Sequence, residues 1–126
     1  MSVLIDTSVW VEHFRSNNRP LVELIGLDLA LIHPMVLGEI ACGTPPAPRV
    51  QTLTNLSLLR ECKQASANEV MAFIEREELY GFGCGWVDIS LLAATLINPG
   101  AKIWTLDKRL YDLAKRFGVA YVPSLH

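Results

Sequence analysis

The sequence predicts an α/β domain: a parallel sheet flanked by helices. Three observations carry this. Short apolar runs of strand length stand at residues 3–5, 29–32 and 103–106. Stretches with helical spacing of apolar residues lie between them. The strand runs lack polar alternation, the pattern of strands covered on both faces. The chain has 126 residues, 51% hydrophobic and 19% charged, which suits a single domain over 1–126 with a real core and argues against disorder.

Taken in order, Val3-Leu4-Ile5 reads as the first buried strand. It stops at Asp6-Thr7-Ser8, any of which caps a helix running through Trp10, Val11 and Phe14. Asn17-Asn18-Arg19-Pro20 breaks that helix, and a second helix over 21–27 leads to the second strand. Pro34 suits a helix's first turn, where its missing N–H has no partner to lose. That helix carries Glu39 and ends near Gly43. After the stiff turn Thr44-Pro45-Pro46-Ala47-Pro48, a helix from about Arg49 leads to Leu58-Leu59, expected as a short strand.

Ser66 with Glu69 three positions on spells a capping box. Behind it Ala67, Val70, Met71 and Ile74 form the apolar face of a helix. Gly81-Phe82-Gly83-Cys84-Gly85 is a pliant approach to a helix over 86–97, stopped by Asn98-Pro99-Gly100. Residues 103–106 form a strand ending at Asp107. Leu110, Leu113, Ala114 and Phe117 are the buried side of the last helix, with Gly118 at its C′ position. Residues 119–122 read as an edge strand ahead of Pro123.

The net charge is −2, from 11 Lys+Arg against 13 Asp+Glu, so the chain lacks the field of a protein that coats nucleic acid. Asp6 interrupts the amino-terminal apolar run too early for an export signal. Glu23, Asp28, His33 and Pro34 interrupt the longest apolar stretch, so no membrane span is expected. Cys42, Cys62 and Cys84 are odd in number and far apart, the usage of reduced thiols in a cytoplasmic protein. His13, His33 and His126 are too few for a structural zinc site.

The informative feature is the placing of four acids. Asp6 and Asp107 each follow a buried strand. In a parallel sheet such positions lie on one rim, where ligands bind. Asp88 opens a helix that is apolar almost all round, and Glu39 stands between Leu37-Gly38 and Ile40-Ala41. Carboxylates crowded near a core repel one another, and a divalent cation relieves both the repulsion and the burial. Hard oxygen ligands favour Mg²⁺ or Mn²⁺, which keep positions open for water and phosphate oxygens. The plainer alternative makes Asp6 and Asp107 helix caps, Asp88 a first-turn acid favoured by the helix dipole, and Glu39 an ordinary helix residue.

Leu4-Ile5-Asp6-Thr7-Ser8-Val9-Trp10 resembles the start of PIN-domain proteins, above all VapC-type toxins of bacterial toxin–antitoxin pairs. The likeness continues through Gly38-Glu39-Ile40, the segment from Trp86 through Asp88 to Ala94, and Thr105-Leu106-Asp107-Lys108-Arg109-Leu110, covering nearly the whole chain. The resemblance implies a Rossmann-like PIN fold and a Mg²⁺- or Mn²⁺-dependent endoribonuclease. Asp6 and Asp88 would be the principal metal ligands, with Asp107 completing the site directly or through water. Glu39 would bind a metal or position the nucleophile, and Ser8 and Thr105 would be supporting hydroxyl donors. It further implies in-line attack of water leaving a 5′-phosphate and a 3′-hydroxyl, an RNA substrate, a VapB-type antitoxin lying across the acidic groove, and a homodimer.

Lys108, Arg109, Lys115 and Arg116 give the last helix a basic polar face. It is either an ordinary solvated face or, through Lys108 or Arg109, a guide for RNA phosphate. Glu75, Arg76, Glu77 and Glu78 read as solvent-facing charge, His13 and His33 as packing or surface residues, and Trp10, Trp86 and Trp104 as core. A haloacid-dehalogenase-type phosphatase would need a second Asp where Ser8 stands, and a receiver domain would need an acidic pair that Asp6-Thr7 does not supply. A PIN-like module that binds RNA or protein without cutting is the remaining alternative.

Overall fold

β1 (Ser2–Ile5) runs through the middle of a four-stranded sheet in a computed structural model that describes residues 1–123. From β1 the chain passes through α1 (Thr7–Ser16) and α2 (Arg19–Gly26) to β2 (Ala30–Ile32), which pairs parallel to one side of it. It then moves outward through α3 (Pro34–Cys42) and α4 (Arg49–Ser57) to β3 (Arg60–Glu61) at the edge. α5 (Ala67–Glu77) and α6 (Trp86–Ile97) carry it back across the sheet to β4 (Ala101–Trp104), parallel to β1 on its other side. α7 (Lys108–Arg116) follows. The order β3-β2-β1-β4 reverses direction between β1 and β4. In open α/β sheets the crevice beyond the strand ends at such a reversal is where ligands bind.

The core explains the sequence pattern. Val3, Leu4 and Ile5 are fully buried, as is Ile103 on β4, because helices cover both sheet faces. α6 buries Ile89, Leu91, Leu92, Ala93 and Ala94 and packs on β4, α5 and α7. α5 starts at the expected capping box: Ser66 Oγ accepts the Glu69 N–H at 3.1 Å, and Glu69 Oε1 accepts the Ser66 N–H at 2.8 Å. α7 ends with Gly118 at φ +71°, a left-handed conformation that glycine adopts without a Cβ penalty.

Five local expectations are corrected. Arg19 and Pro20 begin α2 rather than only ending α1, with Asn18 Oδ1 accepting the Leu21 N–H as a cap. The third strand falls at Arg60–Glu61, not at Leu58-Leu59; Leu58 is 78% exposed. β4 ends at Trp104, so Thr105 and Leu106 lie outside it, because its partner β1 also stops at Ile5. Residues 119–122 make one parallel bridge from Ala120 to Ile103 and not a strand. Trp10 and Trp104 are core, but Trp86 is 40% exposed at the head of α6. His126 lies outside the described residues.

Ile103 fills the sheet centre, and its N–H and C=O also hold the segment after α7 through Val119 and Tyr121. Ile103→Ala should therefore cost about 3 kcal/mol in urea unfolding, the usual loss for truncating a fully buried side chain. Leu58→Ala, on the surface, should stay within about 0.5 kcal/mol. Equal midpoints for the two variants would contradict this assignment of the core.

Candidate active site

Asp6 follows β1 and stands at the N-cap position of α1, yet its side chain makes no capping bond. It is 6% exposed and turned towards β4. Its Oδ2 accepts the hydroxyl of Ser8 at 2.7 Å and that of Thr105 at 2.7 Å. Each hydroxyl is itself oriented by a backbone donor. Leu106 N–H reaches Ser8 Oγ at 3.0 Å, and Asp107 N–H reaches Thr105 Oγ1 at 3.0 Å. A hydroxyl whose oxygen accepts an N–H directs its one proton elsewhere, here to Asp6. Oδ1 stays outside this network. The cap-only alternative for Asp6 therefore fails.

Asp107 does cap: its Oδ1 accepts the N–H groups of Arg109 at 2.9 Å and Leu110 at 3.1 Å at the start of α7. Asp88 is the third residue of α6 and accepts the Gly85 N–H at 3.4 Å. Glu39, on α3, has Oε1 tied to Thr7 Oγ1 at 2.6 Å, which joins α3 to the start of α1. Thr7 places Glu39 in this way, and its position beside Asp6 is the only sequence signal for that part.

These acids act on one another. Burial raises the Asp88 carboxyl above the usual carboxylate range, the Gly85 N–H opposes this, and the charges of Asp6, Asp107 and Glu39 add to the rise. The half-buried Cys84 thiol beside them is pushed up to about 11, by burial first and then by Asp88 and Asp107, with Arg109 opposing. Among the described residues the ion pairs are Arg76–Glu77 and Lys108–Asp112; none involves the four acids. Asp6 and Asp107 thus stand just past the ends of β1 and β4, and Asp6, Asp107 and Glu39 are all near enough to Asp88 for their charges to act on its carboxyl.

Among the described residues no three His, Cys, Asp or Glu side chains stand close enough together to form a ready-made metal cage. The donor set still fits Mg²⁺ or Mn²⁺. All four donors are carboxylates lacking a cationic partner, and Mg²⁺ takes only one or two protein carboxylates while keeping several waters. Among the described residues, His33 and His13 do not compete as bases. His33 is buried, its Nδ1 accepts the Met35 N–H at 3.0 Å, and burial lowers its pKa. His13 Nδ1 accepts the Asn18 N–H at 2.9 Å.

Residues 3–116 match the PIN domain. The chain belongs to the PIN-domain family. It is also 41% identical over 123 residues, 98% of each chain, to Ribonuclease VapC32 of Mycobacterium tuberculosis, in strain CDC 1551 / Oshkosh and in strain ATCC 25618 / H37Rv. In this PIN domain Asp6 and Asp107 stand where the sheet reverses, Asp88 lies in the first turn of α6 and Glu39 lies within α3. No helix among the described residues is long and apolar enough to cross a membrane.

The charge imbalance has a measurable cost. The folded Asp88 carboxyl titrates above its ordinary value of 3.8, so its ionisation destabilises the fold above the raised pKa, and the penalty disappears below 3.8. Asp88→Asn keeps an acceptor for the Gly85 N–H and removes the charge. In EDTA it should melt above the unaltered protein at neutral pH, and the gain should vanish on acidification below the ordinary carboxylate range. Calorimetry at both pH values checks this, and a gain unchanged in acid would contradict it.

Proposed function

We propose that this PIN-domain protein is a Mg²⁺- or Mn²⁺-dependent endoribonuclease, the toxin of a VapBC-type toxin–antitoxin pair. The observation that carries the reading is the set of mutually repelling carboxylates at the sheet's reversal point, unmatched by any ion pair among the described residues. The 41% identity to a protein named as a ribonuclease supports RNA as the substrate. Asp6 and Asp88 would hold the cation, with Asp107 completing its shell directly or through water. When bound, the cation supplies charge stabilisation at phosphorus and makes water a better nucleophile at neutral pH.

The remaining work falls to the chain's own side chains. Ser8 and Thr105 fix the rotamer of Asp6 by occupying Oδ2. Glu39, anchored through Oε1, keeps Oε2 to orient the attacking water and accept its proton. Water then attacks phosphorus, the P–O3′ bond breaks, the departing O3′ takes a proton from solvent, and the products carry a 5′-phosphate and a 3′-hydroxyl. A groove of about 540 Å³ runs from Thr7 and Glu39 over Val11, Phe14 and Ile40 to Pro45. Its floor is apolar and its charged lining is Glu39 and Arg15, which suits a VapB-type antitoxin's carboxyl-terminal segment whose basic side chain would meet Glu39. The protein would act in the cytoplasm as a homodimer.

Antitoxin-free protein incubated with total RNA tests this reading. Cleavage should need Mg²⁺ or Mn²⁺ and stop in EDTA. Asp6→Asn and Asp88→Asn should each lower the rate by about 100-fold or more, the scale of losing a charge-stabilising group. Thr105→Val should cost about tenfold, the loss typical of removing a donor that orients a ligand. Undiminished cleavage in both Asn variants would reject the assignment, and binding of RNA without any cleavage would make the domain a non-catalytic module.

A further inference from the structure

The crevice that holds the acids must also hold an RNA phosphate, and α7 offers two cations just past Asp107. They are not equivalent. Lys108 Nζ lies 3.0 Å from Asp112 Oδ2, an exposed pair one helical turn away that directs it along the helix surface. Arg109 forms no ion pair among the described residues. Its side chain instead lies across Gly83, in the loop that leads into α6 and Asp88. A Cβ built on Gly83 would stand 2.8 Å from Arg109 Cδ, 3.0 Å from Nη1 and 3.1 Å from Nε. Gly83 also has φ +83°, a conformation that favours glycine. Two independent features therefore select glycine there: the backbone turn and the room taken by the guanidinium.

We propose that Gly83 is a seat that holds Arg109 at the edge of the carboxylate crevice as the cation that takes the RNA phosphate, and that Lys108 has no such part. The inference rests on the nuclease reading above and adds to it which residue meets the substrate and what positions that residue. Arg109 is near enough to the crevice to act on Cys84, on which Asp88 and Asp107 also act. Its five N–H donors suit phosphate oxygens, and a guanidinium already resting on backbone loses less freedom on binding than a lysine in solvent. A net negative chain whose Asp6, Glu39, Asp88 and Asp107 charges reach one another needs such a local cation to receive the strand. Arg109 is thus a substrate-contacting residue and Gly83 a positioning residue acting through it. A Cβ at Gly83 would meet a flexible side chain rather than backbone, but at φ +83° it also strains the turn, so urea unfolding of Gly83→Ala accompanies its binding measurement.

Fluorescence anisotropy with a labelled single-stranded RNA 20-mer of mixed sequence tests the seat. The protein is antitoxin-free and carries Asp6→Asn in every variant, so that cleavage does not interfere. Adding Arg109→Ala should weaken binding about tenfold and flatten the slope of log affinity against log salt by about 0.7, one single-strand phosphate contact. Arg109→Lys should recover part of the affinity, and Lys108→Ala should change neither quantity by more than about twofold. Gly83→Ala should reproduce much of the Arg109→Ala loss, and the double variant should be no worse than Arg109→Ala alone, the non-additivity expected when one residue acts through the other. Affinity and salt slope unchanged in Arg109→Ala, or losses for Lys108→Ala as large, would overturn the proposal. So would losses at Gly83 and Arg109 that simply add. If the protein without Asp6→Asn cleaves RNA in Mg²⁺ while Arg109→Ala binds normally, the seat alone fails; if it neither binds nor cleaves RNA, both readings fail.

Discussion

Two hydroxyl protons meeting on one carboxylate oxygen tie this molecule together where its sheet reverses. Ser8, at the start of α1, and Thr105, just past β4, both donate to Asp6 Oδ2, and each accepts a backbone N–H from the segment leading to Asp107. Asp6 N–H in turn donates to Trp104 C=O at 2.9 Å, continuing the ladder between β1 and β4 by one bond. The ladder and the side-chain network therefore fix the relative position of Asp6 and Asp107. Distant stretches of sequence reach one crevice because two adjacent parallel strands end level with each other. Without that lock the acids would be surface groups free to swing apart, as like charges prefer.

Helix ends do much of the compensation that basic side chains do elsewhere. Asp6 stands at the N-cap of α1, Asp107 caps α7, and Asp88 lies in the first turn of α6. Three positive helix ends thus face the crevice, each stabilising a nearby negative charge by about 0.3–1 kcal/mol. That is not enough for Asp88, whose carboxyl stays raised despite its helix start and the Gly85 N–H. Burial and mutual repulsion win by direction. The hydrogen bonds and helix ends hold the acids in place, yet leave a local deficit of positive charge.

The legible parts of the fold were those written in local chemistry. The apolar run 3–5, the capping box at Ser66 and Glu69, Pro34 opening α3 and Gly118 closing α7 each specify their element through neighbouring residues, and all stand as expected. The misplaced elements were decided at a distance. β3 falls at exposed Arg60–Glu61 because parallel pairing with β2 at Leu31 and Ile32 selects them, not their own hydrophobicity. Trp86 looks like core beside Val87 and Ile89, but a residue at the head of a helix has no turn before it to cover it. For the site, residue type and element position singled out Asp6, Asp88 and Asp107, while Ser8 and Thr105 came only with the resemblance to PIN-domain proteins. The Thr7–Glu39 bond and the contact of Arg109 with Gly83 span 32 and 26 positions (39 − 7 and 109 − 83), and no local pattern encodes them.

The same electrostatics explains which chemistries this crevice excludes. Cys84 lies beside Asp88 and Asp107, in a position that a thiol nucleophile or a soft metal ligand would need to use as thiolate. Burial and those acids push it up to about 11, so it stays protonated at neutral pH, and Arg109 only partly offsets them. His33 is occupied as the cap of α3 and His13 as an acceptor for Asn18. With thiolate and imidazole removed, the groups left to act on a substrate are carboxylate oxygens, which repel a phosphodiester unless a cation intervenes. The carboxylates that add to burial in keeping the thiol protonated also repel nucleic acid, so the cations that admit RNA have to be placed singly and locally. The room left over Gly83 for one arginine is the kind of device that such a field requires.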